Sequence, residues 1–248
     1  LEKLKGTLAD LEDNDKLNKK EWISCLLQVV LTLITYQKAF CFTHNDLHTN
    51  NIMYKKTNIK YLYYKYNDKY YKVPTYGRIY KIIDFGRSIY VYNKRMLCSD
   101  SFGPKGEANG QFNFKPYYNK KHKRVEPNRS FDLCRLGIAL FDNFIPDLSK
   151  IKKLKDPLAK LILEWCTDDE GKNVLYKENG KERYKDFKLY QKIVKTVHCH
   201  LPELQLEKPI FKQFVINENE ILEINKKSVF NIDKIKSFIW KRLMLNDL

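Results

Sequence analysis

The sequence predicts a mainly α, α+β fold: a helical body carrying a β-hairpin insertion. Residues 22–37 place Trp22, Leu26, Val29, Val30, Leu33 and Ile34 at helical spacing. The stretches 61–66 and 69–73 are Tyr-rich strands around the turn pair Asn67-Asp68. With 248 residues, 43% of them hydrophobic, the chain is long and apolar enough to build a sizeable core, which excludes a disordered tail or a minimal disulfide scaffold.

Residues 1–20 are polar, with a break at Gly6-Thr7 and an acidic run through Asp15. After the helix at 22–37, a turn at 40–43 leads into His44-Asn45-Asp46-Leu47-His48-Thr49-Asn50-Asn51, and 52–54 reads as a short buried strand. A further strand, 79–83, runs into Asp84-Phe85-Gly86. Residues 87–127 show little periodicity and are expected to form a long irregular loop, a kind of segment that is usually functional. Helical patterns follow at 131–144, 154–166, 187–197 and 232–245, interrupted by a charged excursion at 167–185. No internal repeat and no sharp domain boundary is visible.

Lys and Arg number 46 against 30 Asp and Glu, a formal charge of +16 that favours acidic partners. The six cysteines, at 25, 41, 98, 134, 166 and 199, form no Cys-x-x-Cys pair and suit a reducing compartment. His198-Cys199-His200 lacks a second ligand cluster at zinc spacing. The turn Asp168-Asp169-Glu170-Gly171 lacks the alternating ligands of a calcium loop and is expected to be a solvated acidic turn. The longest apolar stretch, 22–36, is broken by Ser24, Gln28 and Thr32 and is short for a membrane span, so no membrane partner is expected. The chain opens on Leu1 without a signal peptide, and the expectation is an intracellular, non-secreted fragment.

Two motifs occur in order, each between the right elements. His44-x-Asp46 with Asn51 lies between a helix and a short strand, and Asp84-Phe85-Gly86 follows the apolar Ile82-Ile83. The set suits phosphoryl transfer, in which a protein positions a nucleophile and holds divalent cations against phosphates. Asp46 would accept or orient a substrate hydroxyl, while the Asn51 carbonyl oxygen and the Asp84 carboxylate are hard ligands of the kind Mg²⁺ takes. Gly86 is expected to provide the sharp turn that aims Asp84, and His44 to be a buried brace for the loop.

On these motifs the sequence resembles the C-terminal lobe of a eukaryotic-type protein kinase. Residues 1–8 resemble its hinge-like start, 22–37 the long helix ahead of the catalytic loop, and 84–127 the activation segment. Ser130-Phe131-Asp132 resembles the start of the helix whose Asp anchors the catalytic loop through backbone amides. The resemblance implies ATP and Mg²⁺ as cofactors, the backbone around Glu2 and Leu4 at the adenine edge, and Met53 and Ile83 beside the nucleotide. It implies catalytic roles for Asp46 and Asn51, His48 as a phosphate or substrate neighbour, and Asn51 and Asp84 as metal ligands. It covers residues 1–145 with specific motifs; beyond them helices match by order alone. Asp46-Leu47-His48, the Tyr-rich insertion at 54–81, Lys72-Val73-Pro74-Thr75-Tyr76-Gly77 and Glu126-Pro127-Asn128 resemble haspin-like kinases and the serine/threonine kinases of giant DNA viruses. That implies a protein serine/threonine kinase acting on a protein substrate, an acidic one on the charge balance, in a host cytoplasm or virion if viral.

The sequence departs from the family at three places. Asn45 replaces the Arg before the catalytic Asp, which removes an obvious partner for an activation-loop phosphate. His48 replaces a Lys, and a neutral His lacks that Lys's permanent charge. No Gly-rich loop, strand Lys or helix Glu precedes Leu1, so an N-terminal kinase lobe is expected upstream as the missing partner. Two alternatives stand beside the protein kinase: a catalytically silent kinase-like scaffold, and a small-molecule kinase of the aminoglycoside or choline type, which also carries Asp-Leu-His. The 54–81 insertion holds nine Tyr, seven Lys and one Arg; a structural sheet is favoured over protein docking, and nucleic acid comes last.

Overall fold

The computed structural model describes residues 2–14, 16–115, 117, 125–177, 179–222 and 228–237. Helix accounts for 41% and strand for 19%, a mixed α+β composition with small sheets. In chain order the elements are β1 (Gly6–Thr7), α1 (Leu8–Glu12), α2 (Lys19–Phe40), β2 (Ile52–Lys56), β3 (Tyr61–Tyr66), β4 (Lys69–Pro74), β5 (Arg78–Ile82), β6 (Ile89–Tyr92) and β7 (Arg95–Cys98). They continue with α3 (Phe131–Phe144), α4 (Pro157–Trp165), α5 (Phe187–Thr196), α6 (Pro202–Gln205), α7 (Pro209–Lys212), β8 (Val215–Ile216), α8 (Glu218–Leu222) and β9 (Val229–Asn231). The chain divides into two compact units, one of residues 2–39, 50–83 and 202–237, the other of 40–49 and 84–201.

In the first unit, α2 buries most of its length, including Leu26, Leu27, Val30, Leu31 and Leu33. Each such side chain contributes about 1.5–3 kcal/mol relative to exposure. At 22 residues α2 is long and apolar enough to span a membrane by length and composition alone, longer than the apolar stretch foretold, because Lys19, Lys20, Glu21 and Lys38 extend its ends. The polar interruptions have partners. Gln28 Oε1 accepts from Tyr80 N (3.0 Å) on the edge strand β5, its Nε2 donates to Arg78 O (3.4 Å), and Ser24 Oγ donates to Pro74 O. A buried amide thus satisfies a strand edge that would otherwise pair with another chain.

The sheet β1-β2-β5 is antiparallel, with Met53 opposite both Thr7 and Lys81. Within the polar N-terminal stretch, residues 6–12 form regular structure: Thr7 and Asp10 close a capping box that starts α1. The expected hairpin is β3–β4, with Asn67 (φ 50°) and Asp68 (φ 56°) in the left-handed turn that joins twisted strands. The hairpin sits inside a four-stranded sheet, β8-β4-β3-β9, closed by short strands from far along the chain, β9 parallel to β3. The helix expected over 232–245 is replaced in its described part by a 3₁₀ turn, Ile232–Lys234; residues 238–245 lie outside the described residues.

In the second unit, residues 87–127 are not simply irregular. They begin with the hairpin β6–β7, whose Asn93 (φ 46°) and Lys94 (φ 64°) supply the same turn geometry. Phe102, Ala108 and Phe112 then join a core with Phe131, Cys134, Val174, Ile193 and Val194. Residues 116 and 118–124 of this segment lie outside the described residues. Helix α3 has the bounds the periodicity predicts. The helix expected from 154 starts only at Pro157, capped by Asp156 Oδ1 on Leu158 N (2.7 Å), since proline fits the first helical turn and not the interior. At Gly137, a Cβ would lie 2.7 Å from Trp165 Cβ, so α3 and α4 approach as closely as they do only without a side chain there.

The acidic turn at 168–171 is not solvated throughout: Asp168 is buried. It accepts from Glu170 N (3.2 Å) and Lys172 N (2.9 Å) and pairs with Lys192 Nζ (3.1 Å). Burial pulls the Asp168 carboxyl up, and these bonds outweigh it to leave the group below its ordinary range. His198 Nδ1 meets Asp169 at 2.7 Å and His200 Nε2 meets Thr167 O at 2.8 Å, so both histidines fasten this turn.

Candidate active site

The loop after α2 is built around a buried carboxylate. Asp132, in the first turn of α3, has no exposed surface and accepts two backbone N–H groups, His44 N at 2.8 Å and Asn45 N at 3.0 Å. This is the kind of anchoring that the kinase resemblance implies for Asp132. Burial is the main cause that pushes the Asp132 carboxyl up to about 6, while His44 and the two backbone donors pull it down. It is therefore ionised at neutral pH and can serve both donors.

The loop's own residues fit that anchor. His44 is buried, its Nδ1 accepts from Asp46 N (3.3 Å), and its ring packs against Phe42 and Phe85, with centroids 6.2 and 5.7 Å away. Asn45 has φ 65°, a left-handed conformation that Asn tolerates better than most non-glycine residues. Its Nδ2 donates to Arg87 O (3.0 Å), and its carbonyl accepts from Gln111 Nε2 (3.3 Å).

Asp46 is partly exposed and held from three elements. Tyr190 of α5 donates its hydroxyl to Oδ1 (2.9 Å), and Arg87 Nη1 lies 3.0 Å from Oδ2. Arg135 of α3 stands 3.8 Å from Oδ1 and donates through Nε to the Tyr190 hydroxyl (2.9 Å). His48 Nε2 is 3.8 Å from Oδ2, too far for a hydrogen bond. Burial first, then the charge of Arg135, depress the His48 pKa, which outweighs the pull of Asp46, so the imidazole is neutral at pH 7 and the contact is not an ion pair.

Asp84 is exposed and takes the left-handed conformation, φ 60° and ψ 73°, with Oδ1 accepting from Gly86 N (3.2 Å). The strained backbone position is therefore Asp84, not Gly86. A Cβ at 86 would sit 3.1 Å from Asp84 Oδ1, a tight contact that would displace this exposed carboxylate slightly. Arg87 also reaches Glu107, with Nε 3.4 Å from Oε1.

The remaining predicted residues belong to the first unit. Asn51 is buried, and its carbonyl accepts from Ile83 N (3.0 Å), the residue before Asp84. Met53 lies mid-strand in β2. Leu4 is half-buried, and the next residue, Lys5, donates its N–H to Tyr54 O (2.8 Å). The Glu2 carboxylate bonds Lys81 and Lys55, which lower it to about 2. Its side chain is thus tied to lysines.

An exposed carboxylate with one oxygen tied to backbone suits a hard cation, so Asp84 fits Mg²⁺. Among the described residues no three His, Cys, Asp or Glu side chains gather into a group that could hold a metal. A cavity of about 720 Å³ lined by Lys152, Asn173, Tyr176 and Arg183 includes none of the predicted site residues.

Sequence reasoning missed Arg87, Arg135 and Tyr190. Arg135 lies one helical turn after Asp132 and Arg87 directly follows Gly86, so both were within reach; Tyr190 lies 144 residues from Asp46 and carries no local signal. No protein-family model matches the chain, and no curated protein is similar to it.

Proposed function

We propose that this chain is the C-terminal lobe of an ATP-dependent protein serine/threonine kinase, working with an N-terminal lobe that covers the nucleotide. The observation that carries the reading is the double backbone grip of Asp132 on His44 and Asn45, which fixes the loop one residue ahead of Asp46. Phosphoryl transfer asks mainly for such positioning and for charge placed where the phosphates sit.

In this reading the substrate hydroxyl oxygen gives a lone pair to the γ-phosphorus of ATP. The bond from that phosphorus to the β–γ bridging oxygen breaks, and its electron pair leaves with ADP. Asp46 orients the hydroxyl and receives its proton. The Asp84 carboxylate would be a ligand of Mg²⁺, as the kinase resemblance also implies for the Asn51 carbonyl oxygen, and the metal would neutralise phosphate charge. His48, neutral at pH 7, serves as a hydrogen-bonding neighbour of phosphate or substrate. Met53, Ile83 and the backbone at Glu2 and Leu4 line the adenine. The +16 charge favours acidic protein substrates.

The test is transfer of label from γ-³²P-ATP to an acidic acceptor protein by the full natural chain, followed by phosphoamino-acid analysis. Magnesium-dependent label on Ser or Thr that Asp84→Asn abolishes is the expected result. Nucleotide binding without transfer to any protein, in wild type and variant alike, favours the scaffold instead.

A further inference from the structure

We infer that Tyr190 and Arg135 are positioning residues for Asp46, and that with Arg87 they form a clamp on its carboxylate. The inference rests on the kinase reading and goes beyond it, since no motif names these residues. The clamp's logic is in its donors. An Arg guanidinium only donates, so the Tyr190 hydroxyl must accept from Arg135 Nε (2.9 Å). Its single proton is then committed to Asp46 Oδ1 (2.9 Å). The chain Arg135 to Tyr190 to Asp46 has one direction, and it pins one carboxylate oxygen.

The other oxygen is held by Arg87 Nη1 at 3.0 Å. Arg87, Arg135 and Asp46 side chains are each about four-fifths buried, at 20%, 17% and 18% exposure, so these contacts are partly shielded from water. Such charge-assisted bonds are about twice as strong as neutral ones. His48 contributes no permanent charge, because burial and Arg135 keep it neutral. Arg87 and Arg135 thus set two permanent cations against the Asp46 carboxylate.

Tyr190 is also placed for a clean test. Its ring packs on Phe131 and Phe187, with centroids 6.0 and 5.6 Å away, and Arg135 stacks over it at 5.5 Å. Phenylalanine keeps that packing and removes only the hydroxyl. In the full natural chain, Tyr190→Phe is expected to lower kcat about 10-fold or more, the tenfold loss corresponding to about 1.4 kcal/mol. The KM for ATP should stay at its wild-type value. Arg135→Lys, which keeps charge but loses the planar Nε donor, should lower kcat in the same way and serves as the second variant if Tyr190→Phe fails to fold. Tyr176→Phe, whose hydroxyl meets Asp142 at 3.2 Å, is the matched control and should be silent. Wild-type kcat in folded Tyr190→Phe or folded Arg135→Lys overturns the clamp while leaving the kinase reading intact, and so does a raised KM with unchanged kcat. An inactive wild-type chain overturns both.

Discussion

Asp132→Asn keeps the shape of the loop anchor and removes one of its acceptors. Both Asp132 oxygens accept backbone N–H groups, at 2.8 and 3.0 Å, in a site without exposed surface. An amide serves one donor and turns its own N–H₂ toward the other. Two buried donors without acceptors cost about 1–3 kcal/mol each. Against this stands the charge. With the carboxyl pushed up to about 6 from 3.8, keeping it ionised at neutral pH costs about 3 kcal/mol, and Asn removes that cost. The opposing effects leave a net change between a gain of about 1 and a loss of about 3 kcal/mol, at most a few degrees in melting temperature for a chain of this size. Activity has no such compensation: a misplacement of about 1 Å at a reacting group costs about 100-fold. Denaturant unfolding and initial rates of transfer on the same sample should therefore separate, with near wild-type stability and a large fall in kcat. Because the folded pKa is raised, wild-type Asp132 favours the fold most below about 4 and loses that contribution as pH rises through about 6, so the stability difference should change sign or size across that window. A variant that loses more than about 5 kcal/mol yet transfers phosphate at the wild-type rate when folded would refute the reasoning.

Three further outcomes are expected. Gly137→Ala should destabilise by about 1–3 kcal/mol, because the 2.7 Å approach to Trp165 Cβ outweighs the gain of about 1 kcal/mol in helix propensity; a raised melting temperature would show that α3 and α4 can part without cost. His48 has a depressed folded pKa, so its contribution to stability is present above about 6.5 and is lost as pH falls below it; His48→Gln should flatten that part of the stability profile measured by urea titration. Lys192→Met leaves the buried Asp168 carboxylate with its backbone donors but without its cation, and should cost about 1–3 kcal/mol by thermal unfolding, with an unchanged melting temperature counting against the pair.

The parts of this fold that sequence reveals are those set by local pattern. The bounds of α3 follow from its apolar spacing, and the turn at Asn67-Asp68 follows from side chains that tolerate positive φ. Asp132 was expected as a loop anchor only through the resemblance of Ser130-Phe131-Asp132 to a kinase helix; composition and spacing alone do not mark it. Long-range pairings were not legible. Strands β8 and β9 are two and three residues long and carry no period, and their partners lie more than a hundred residues away. Asp168 read as solvated because its neighbours are charged; only the fold supplies Lys192 to bury it. Likewise Tyr190 is one tyrosine among 17 until α5 brings its hydroxyl to Asp46.

The most direct measurement is the rate of phosphate transfer by the full natural chain against its Asp46→Asn variant, with nucleotide binding measured alongside. The account predicts that the variant still binds ATP with magnesium and transfers at least about 100-fold more slowly, the low end of what a positioned proton acceptor contributes. Equal transfer rates with equal nucleotide binding would contradict it, since the carboxylate that Asp132, Tyr190 and Arg87 hold in place would then have no part in the reaction.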